Sequence, residues 1–421
     1  MKFVFHPKLL DCLPTYNRAQ FGKDLASGIT VGVLALPLAM AFAIASGCSP
    51  VAGIWTAIVA GLITSAFGGS RVQIGGPTGA FIPIIYGIVA MHGFANLMGA
   101  TILAGIFLLA MGIARMGQLI RFIPVTVVIG FTNGIAVVIF LAQLKDFFGL
   151  QIDNLPAEFF ARINTLAANA HTIDPPTLAL ATACFVFLFS YDRLTERFTL
   201  LRHAPGPLVV LIIGTLVAFV FDLPVETIGS RFHGIPQELP DFGLPSLSVH
   251  DFGKLISPAI TIALLGAIES LLSARVADSL IDDRHDPNQE LIAQGLSNIA
   301  APLFGGFAAT GAIARTSTNV KSGGRTPIAG IIHALVLLAI VLVAAPLASY
   351  VPLATLSAIV MVVAVNMGEW HEFLELRRYS MNYQTILLVT FFVTVVFDLT
   401  IAVELGMVLA SLFFIYRMSE L

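Results

Sequence analysis

Two ionisable side chains, Glu269 and Arg315, stand inside otherwise apolar runs, and such a group at bilayer depth is costly unless it is paired, hydrated or used. A desolvated carboxyl can take up and release a proton near neutral pH, so Glu269 has the chemistry of a proton-coupling group. The same carboxylate could instead coordinate sodium with Ser273 one turn later, or stand ionised against Arg315 or a backbone amide. Arg315 keeps its charge at any accessible pH and, early in a half-helix, would deepen a well for an anion. A salt bridge to Glu269 or a snorkelling side chain is the plainer alternative.

The segments around these residues are broken by glycine in a matching way. Phe67-Gly68-Gly69-Ser70-Arg71-Val72-Gln73-Ile74-Gly75-Gly76-Pro77-Thr78-Gly79-Ala80 in the first half has a counterpart in Phe304-Gly305-Gly306-Phe307-Ala308-Ala309-Thr310-Gly311-Ala312-Ile313-Ala314-Arg315-Thr316. Interrupted apolar segments at corresponding places point to the binding site of a secondary transporter, where half-helix N-termini aim backbone N–H groups at an anion. Thr78, Gly79 and Ala80, with Gly311, Ala312 and Ile313, would supply those groups, their small side chains letting the anion approach. Pro37 is expected to break or kink the first span beside the site. Phe42 and Phe81 are candidates for its wall, although packing is the default for a phenylalanine in a chain with 32 of them.

The elements that must hold these residues are membrane spans. The 421-residue chain is 57% hydrophobic and only 11% charged, too few polar groups to cover a soluble surface. Hydropathy predicts fourteen spans, near 25–46, 50–67, 74–91, 95–114, 122–143, 176–191, 207–221, 255–275, 288–304, 307–320, 327–344, 352–366, 384–398 and 400–418. With the N-terminus inside, seventeen of the 22 Lys and Arg residues fall on the cytoplasmic side, four (Lys145, Arg162, Arg231 and Lys254) fall outside, and Arg315 lies within a span. Both termini are therefore expected in the cytoplasm of a cell (inner or plasma) membrane protein. The first apolar run continues as a full span, so no cleavable signal peptide is expected. A net charge of −3 suggests no nucleic-acid partner.

Gly28-Ile29-Thr30-Val31-Gly32-Val33-Leu34-Ala35 aligns without gaps on Ala259-Ile260-Thr261-Ile262-Ala263-Leu264-Leu265-Gly266. Together with the broken segments this suggests two seven-span repeats, the second inverted, with the substrate at their interface. The stretches 146–175 and 222–254 read as outer loops, and the polar run from Asp278 to Asp286 as a solvated link rather than a metal site. Cys12, Cys48 and Cys184 read as apolar fillers.

Leu36-Pro37-Leu38-Ala39-Met40-Ala41-Phe42-Ala43-Ile44-Ala45-Ser46-Gly47, Ser70 to Ala80, and Gly311 to Thr316 resemble the SulP sulfate-permease family along the whole chain. The resemblance implies an all-α integral membrane fold of fourteen segments in seven-plus-seven inverted repeats like the uracil transporter, with short unwound or strand pieces in spans three and ten. It implies a cytoplasmic segment 1–24 and a transmembrane domain 25–421, divided into a core (about 25–114 and 255–344) and a gate (about 122–221 and 352–418). The core would slide its anion past a dimerising gate. In a cyanobacterial bicarbonate member the positions of Glu269 and Ser273 are Asp and Thr and bind sodium; this chain departs from that pair, which favours protons. Most members continue into a soluble STAS domain; none is expected within these 421 residues, whether or not the native protein continues past Leu421.

The expected function is secondary active transport, proton-coupled symport of sulfate or a similar small anion, with no catalytic residues, no cofactor and no resident metal. Sodium-coupled bicarbonate or proton-coupled dicarboxylate transport is the alternative. A non-transporting anion sensor or scaffold is the alternative of another class.

Overall fold

The computed structural model describes residues 5–118, 125–191, 193, 195, 205–240, 242–245, 252–397, 405 and 408. All but two residues of the fourteenth expected span lie outside that set, as do Lys2, Arg121, Arg197, Arg202 and Arg417. The first half contains α1 (Lys8–Cys12), α2 (Arg18–Ala45), α3 (Pro50–Phe67), strand β1 (Gly75–Gly76), α4 (Ile82–Ile113), α5 (Val125–Phe148), α6 (Phe159–Ala168), α7 (Pro175–Phe189) and α8 (Gly206–Val220). There follow α9 (Ile228–Phe232), α10 (Phe252–Ile281), α11 (Pro287–Leu303), β2 (Thr310–Gly311), α12 (Ile313–Lys321), α13 (Pro327–Ala348), α14 (Leu353–Met367), α15 (Trp370–Leu374) and α16 (Met381–Val396).

A repeated dipeptide starts many of these helices. In Ser49-Pro50, Asp174-Pro175, Asp286-Pro287 and Thr326-Pro327 the first side chain accepts a hydrogen bond from a backbone N–H of the first turn, and proline occupies the position whose missing N–H costs nothing. Among the described residues, six helices are long and apolar enough to cross a membrane, and α7, α8, α14 and α16 are shorter apolar helices. The third and fourth expected spans join in α4, divided only at Gly93, whose φ of 80° breaks the helix without a loop.

Three expectations change. The first span begins at Arg18 rather than at 25, because Asn17 caps it by accepting the Gln20 N–H at 2.9 Å. Pro37 does not break that span: α2 runs through it to Ala45 with no non-helical residue. The outer stretches expected as loops carry α6 and α9.

The helices pack in two sets. In one, α2 lies against α3 and α13, α3 against α11 and α13, and α4 against α10 and α11. Helix pairs in this set come close enough for backbone contact: a Cβ added to Gly105 of α4 would lie 2.7 Å from the carbonyl of Gly295 in α11, and one on Gly295 would lie 2.7 Å from that of Gly105. In the other set α5 lies against α14 and α16, and α14 against α7. The sets meet mainly where α14 crosses α2.

Candidate functional site

The two glycine-broken segments meet in the middle of the first set. β1 and β2 pair antiparallel, Gly75 opposite Gly311 and Gly76 opposite Thr310, and the Ala312 N–H donates to the Ile74 carbonyl at 2.8 Å. Unwound backbone survives at membrane depth only if its polar groups find partners inside the protein. Here buried side chains supply them. Asn298 brackets Ala309 from both sides, at 2.9 Å each, and Thr56 Oγ1 accepts from Phe307 at 2.8 Å. Ser270 Oγ accepts from Gly311 at 3.1 Å, Thr316 Oγ1 from Ile74 at 3.0 Å, and Asn319 Nδ2 donates to the Val72 carbonyl at 2.8 Å.

The exceptions lie where the helices resume. The N–H groups of Gly79 and Ala80, ahead of α4, and of Ile313 and Ala314, at the start of α12, have no acceptor among the described residues. These two N-termini face one cavity of about 450 Å³. Its wall on this side includes Leu38, Phe42, Pro77, Thr78, Gly79, Ala80, Glu269, Ala312, Ile313 and Arg315, and the facing wall is Val127, Val128, Phe131 and Thr132 of α5 with Val363, Asn366 and Met367 of α14. The cavity thus lies between the two helix sets.

Glu269 reaches the cavity from α10, where its Oε2 accepts from Thr78 Oγ1 at 3.5 Å, so a carboxyl stands beside the first half-helix N-terminus. Arg315, 1% exposed, does not pair with Glu269. Its Nη2 donates to the Pro77 carbonyl at 2.7 Å, and its buried Nη1 has no partner. The guanidinium has room because residue 76 is glycine: a Cβ there would lie 2.3 Å from Nη1, and its φ of 150° suits no side chain. Arg315 therefore links the two broken segments and brings its fixed charge to the amides that face the cavity.

Of the expected site residues, Thr78, Gly79, Ala80, Ala312, Ile313, Arg315, Phe42 and Glu269 come together on the cavity wall. Gly311 stands one layer behind it in β2, Pro37 is buried in α2, and Phe81 is buried in the turn before α4. Ser273 is fully buried, its Oγ donating to Thr316 Oγ1 at 3.4 Å. The sequence reading missed Glu290, which accepts from Gly69 N at 3.0 Å, Ser70 N at 3.2 Å and Gln73 Nε2 at 2.8 Å, and so ties the first unwound segment to α11. It also missed Asp24, whose carboxylate accepts from Arg325 N at 3.0 Å and Thr326 Oγ1 at 2.5 Å. The signal that singled out Glu269, an acid in an apolar run, is missing for both: Asp24 follows Lys23 at the start of a span, and Glu290 follows Asn288 and Gln289 in a polar helix.

Two half-helix N-termini meeting at a short antiparallel strand pair have the geometry that suits an anion. The sequence matches the Sulfate permease family over residues 21–390. The chain belongs to that family. Over 407 residues it is 46% identical to the putative sulfate transporter YvdB of Bacillus subtilis, covering 96% of this chain and 76% of that protein. It is 34% identical to the bicarbonate transporter BicA of Picosynechococcus, covering 94% of this chain and 71% of that one. The transmembrane domain of a cyanobacterial BicA superimposes with a TM-score of 0.84 at 31% identity, over 92% of this chain and 98% of that one. Murine Slc26a9 in an inward-facing state gives 0.88 over 98% of this chain and 71% of that one, at 21% identity, a likeness of fold. As a member of the sulfate permease family the chain is a multi-pass membrane transporter of the anion-transporting kind, not an enzyme.

Proposed function

We propose that this protein is a secondary active carrier that takes up sulfate or a similar small anion together with protons, Glu269 being the coupling group. The observation that carries the reading is the placement of Glu269 beside Thr78, on the wall of a cavity into which both half-helices aim unpaired N–H groups. An ionised Glu269 would repel an anion held by those amides. Protonation removes the repulsion, so proton and anion each strengthen the binding of the other.

The position of the cavity between two helix sets fits an elevator. In this reading the set built on α2, α3, α4 and α10 to α13 is the mobile core, and α5, α7, α14 and α16 belong to a gate that pairs with a second copy. With both termini in the cytoplasm, the cavity opens inward near Asn366. Sodium-coupled bicarbonate uptake is the second reading, favoured by the likeness to BicA. Against it, Ser273 Oγ faces Thr316 rather than the cavity.

The test is uptake of labelled sulfate, bicarbonate and fumarate into proteoliposomes under an imposed pH gradient and then a sodium gradient, for wild type and Glu269→Gln. Uptake of sulfate should rise as the outside is made more acidic, and Glu269→Gln should abolish that acceleration at least tenfold while leaving pH-independent exchange. Uptake driven by sodium alone would overturn proton coupling. Anion binding with no uptake would replace the carrier by a sensor or scaffold.

A further inference from the structure

Glu369 follows the C-terminal end of α14 and lines the cavity at its mouth. Its main chain is held from both directions by Asn133 of α5, an amide that is fully buried. The Glu369 N–H donates to Asn133 Oδ1 at 2.5 Å, and Asn133 Nδ2 donates to the Glu369 carbonyl at 3.3 Å. This clamp uses no side-chain atom of Glu369. The other acids of the same stretch are engaged: Glu375 pairs with Arg378 at 2.5 Å and Glu372 accepts the Tyr383 hydroxyl at 3.1 Å. The exposed carboxylate of Glu369 has no hydrogen bond or ion pair among the described residues.

A negative charge fixed at the rim opposes an anion inside the cavity, so it does not serve affinity. What it can serve is discrimination, because Coulomb repulsion scales with the product of the two charges. We propose that Glu369 is a specificity-determining residue: it penalises a dianion such as sulfate about twice as strongly, in free energy, as a monoanion such as bicarbonate. This rests on the reading of the cavity as the anion site. For a separation of about 10 Å and an effective dielectric of about 40, removing the charge strengthens monoanion binding about fourfold and dianion binding about fifteenfold. The gap between the two shrinks as ionic strength screens the pair.

The experiment is calorimetric titration of the purified full chain in detergent with sulfate and with bicarbonate, at low and high concentrations of a bulky gluconate salt. Glu369→Gln should tighten sulfate several-fold more than bicarbonate, with the difference lost at high salt. Glu369→Ala should reproduce the shift, which separates charge from any effect of the amide. Glu372→Gln, three residues further along the chain and off the cavity wall, should leave the ratio of the two affinities unchanged. Equal changes for both anions, or none, with wild type binding normally, overturns the role of Glu369 alone. If wild type binds neither anion, the anion-site reading itself fails and this role fails with it.

Discussion

Gly311 shows how little room the site leaves at single positions. A methyl there would come within 2.1 Å of Gln73 Nε2, and that amide cannot swing away without leaving the Ser270 carbonyl and the Glu290 carboxylate. Gly311→Ala should therefore cost about 1–3 kcal/mol of stability and lower uptake more than tenfold, checked by thermal unfolding alongside transport. Normal uptake would mean that the strand pair yields more easily than its packing indicates. The residues that touch the cavity were legible because they break a pattern: a glycine run, a proline, a lone acid and a lone arginine in apolar sequence. Their partners were less so. That Arg315 would meet the Pro77 carbonyl rather than Glu269 depends on the direction of one side chain across two segments, which no spacing records. The α5 and α14 wall, Val128, Phe131 and Met367 among it, has the same composition as any lipid-facing helix and gave no signal.

At the scale of elements, the short unwound segments stand because neighbouring helices supply hydrogen bonds to them. Glu290 is the main such support, holding the Gly69 and Ser70 amides and the Gln73 side chain in a fully buried position. Glu290→Ala strands the Gly69 and Ser70 amides and takes one acceptor from each of the Gln73 and Gln294 side chains, at a cost of about 3 kcal/mol, and should lower the melting temperature even in protein that inserts. Glu290→Gln keeps the shape and should recover part of the loss; equal melting temperatures for all three proteins would refute the tether. Most helices were legible from hydropathy, while the Ser/Thr/Asp-Pro pairs that start several of them went unread. The continuity of α4 through Gly93 was not, since a glycine that ends one span and begins the next looks like a loop in sequence. The helix through Pro37 was misjudged for the opposite reason: packing around α2 outweighs a local breaker.

For the whole molecule, the consequential fact is that the cavity has one wall in each helix set. If the sets move past one another during transport, a bond across the cavity must stop them. Cysteines introduced as Val128→Cys and Ile313→Cys, on opposite walls, can be joined by a short reducible bis-thiosulfonate, the native Cys12, Cys48 and Cys184 being buried. Joined protein should lose uptake and regain it on reduction, and the loss should exceed that of either single variant, which the reagent modifies at one end only. Full uptake by the joined protein would rule out relative motion of the two walls. Which side moves, and whether two copies share a gate, are matters of the assembly in the bilayer and leave no mark in the residue pattern of one chain.

The polarity of α11 bears on how the protein is made. Within 17 residues it carries Gln289, Glu290, Gln294, Ser297 and Asn298, all buried, and it is absent from the helices apolar enough to cross a membrane by themselves. A segment of that composition does not leave the translocon for lipid on its own merits. In the folded chain it packs against α3 and α4, with Thr64 of α3 hydrogen-bonded to Ser297 at 2.9 Å. Those helices are synthesised well over a hundred residues earlier, roughly 10–35 s at ordinary translation rates. During that interval α3 and α4 stand without the helix they pack against in the folded chain. Insertion of α11 therefore depends on helices made before it, and a variant whose α3 and α4 no longer pack against it is expected to leave α11 outside the bilayer.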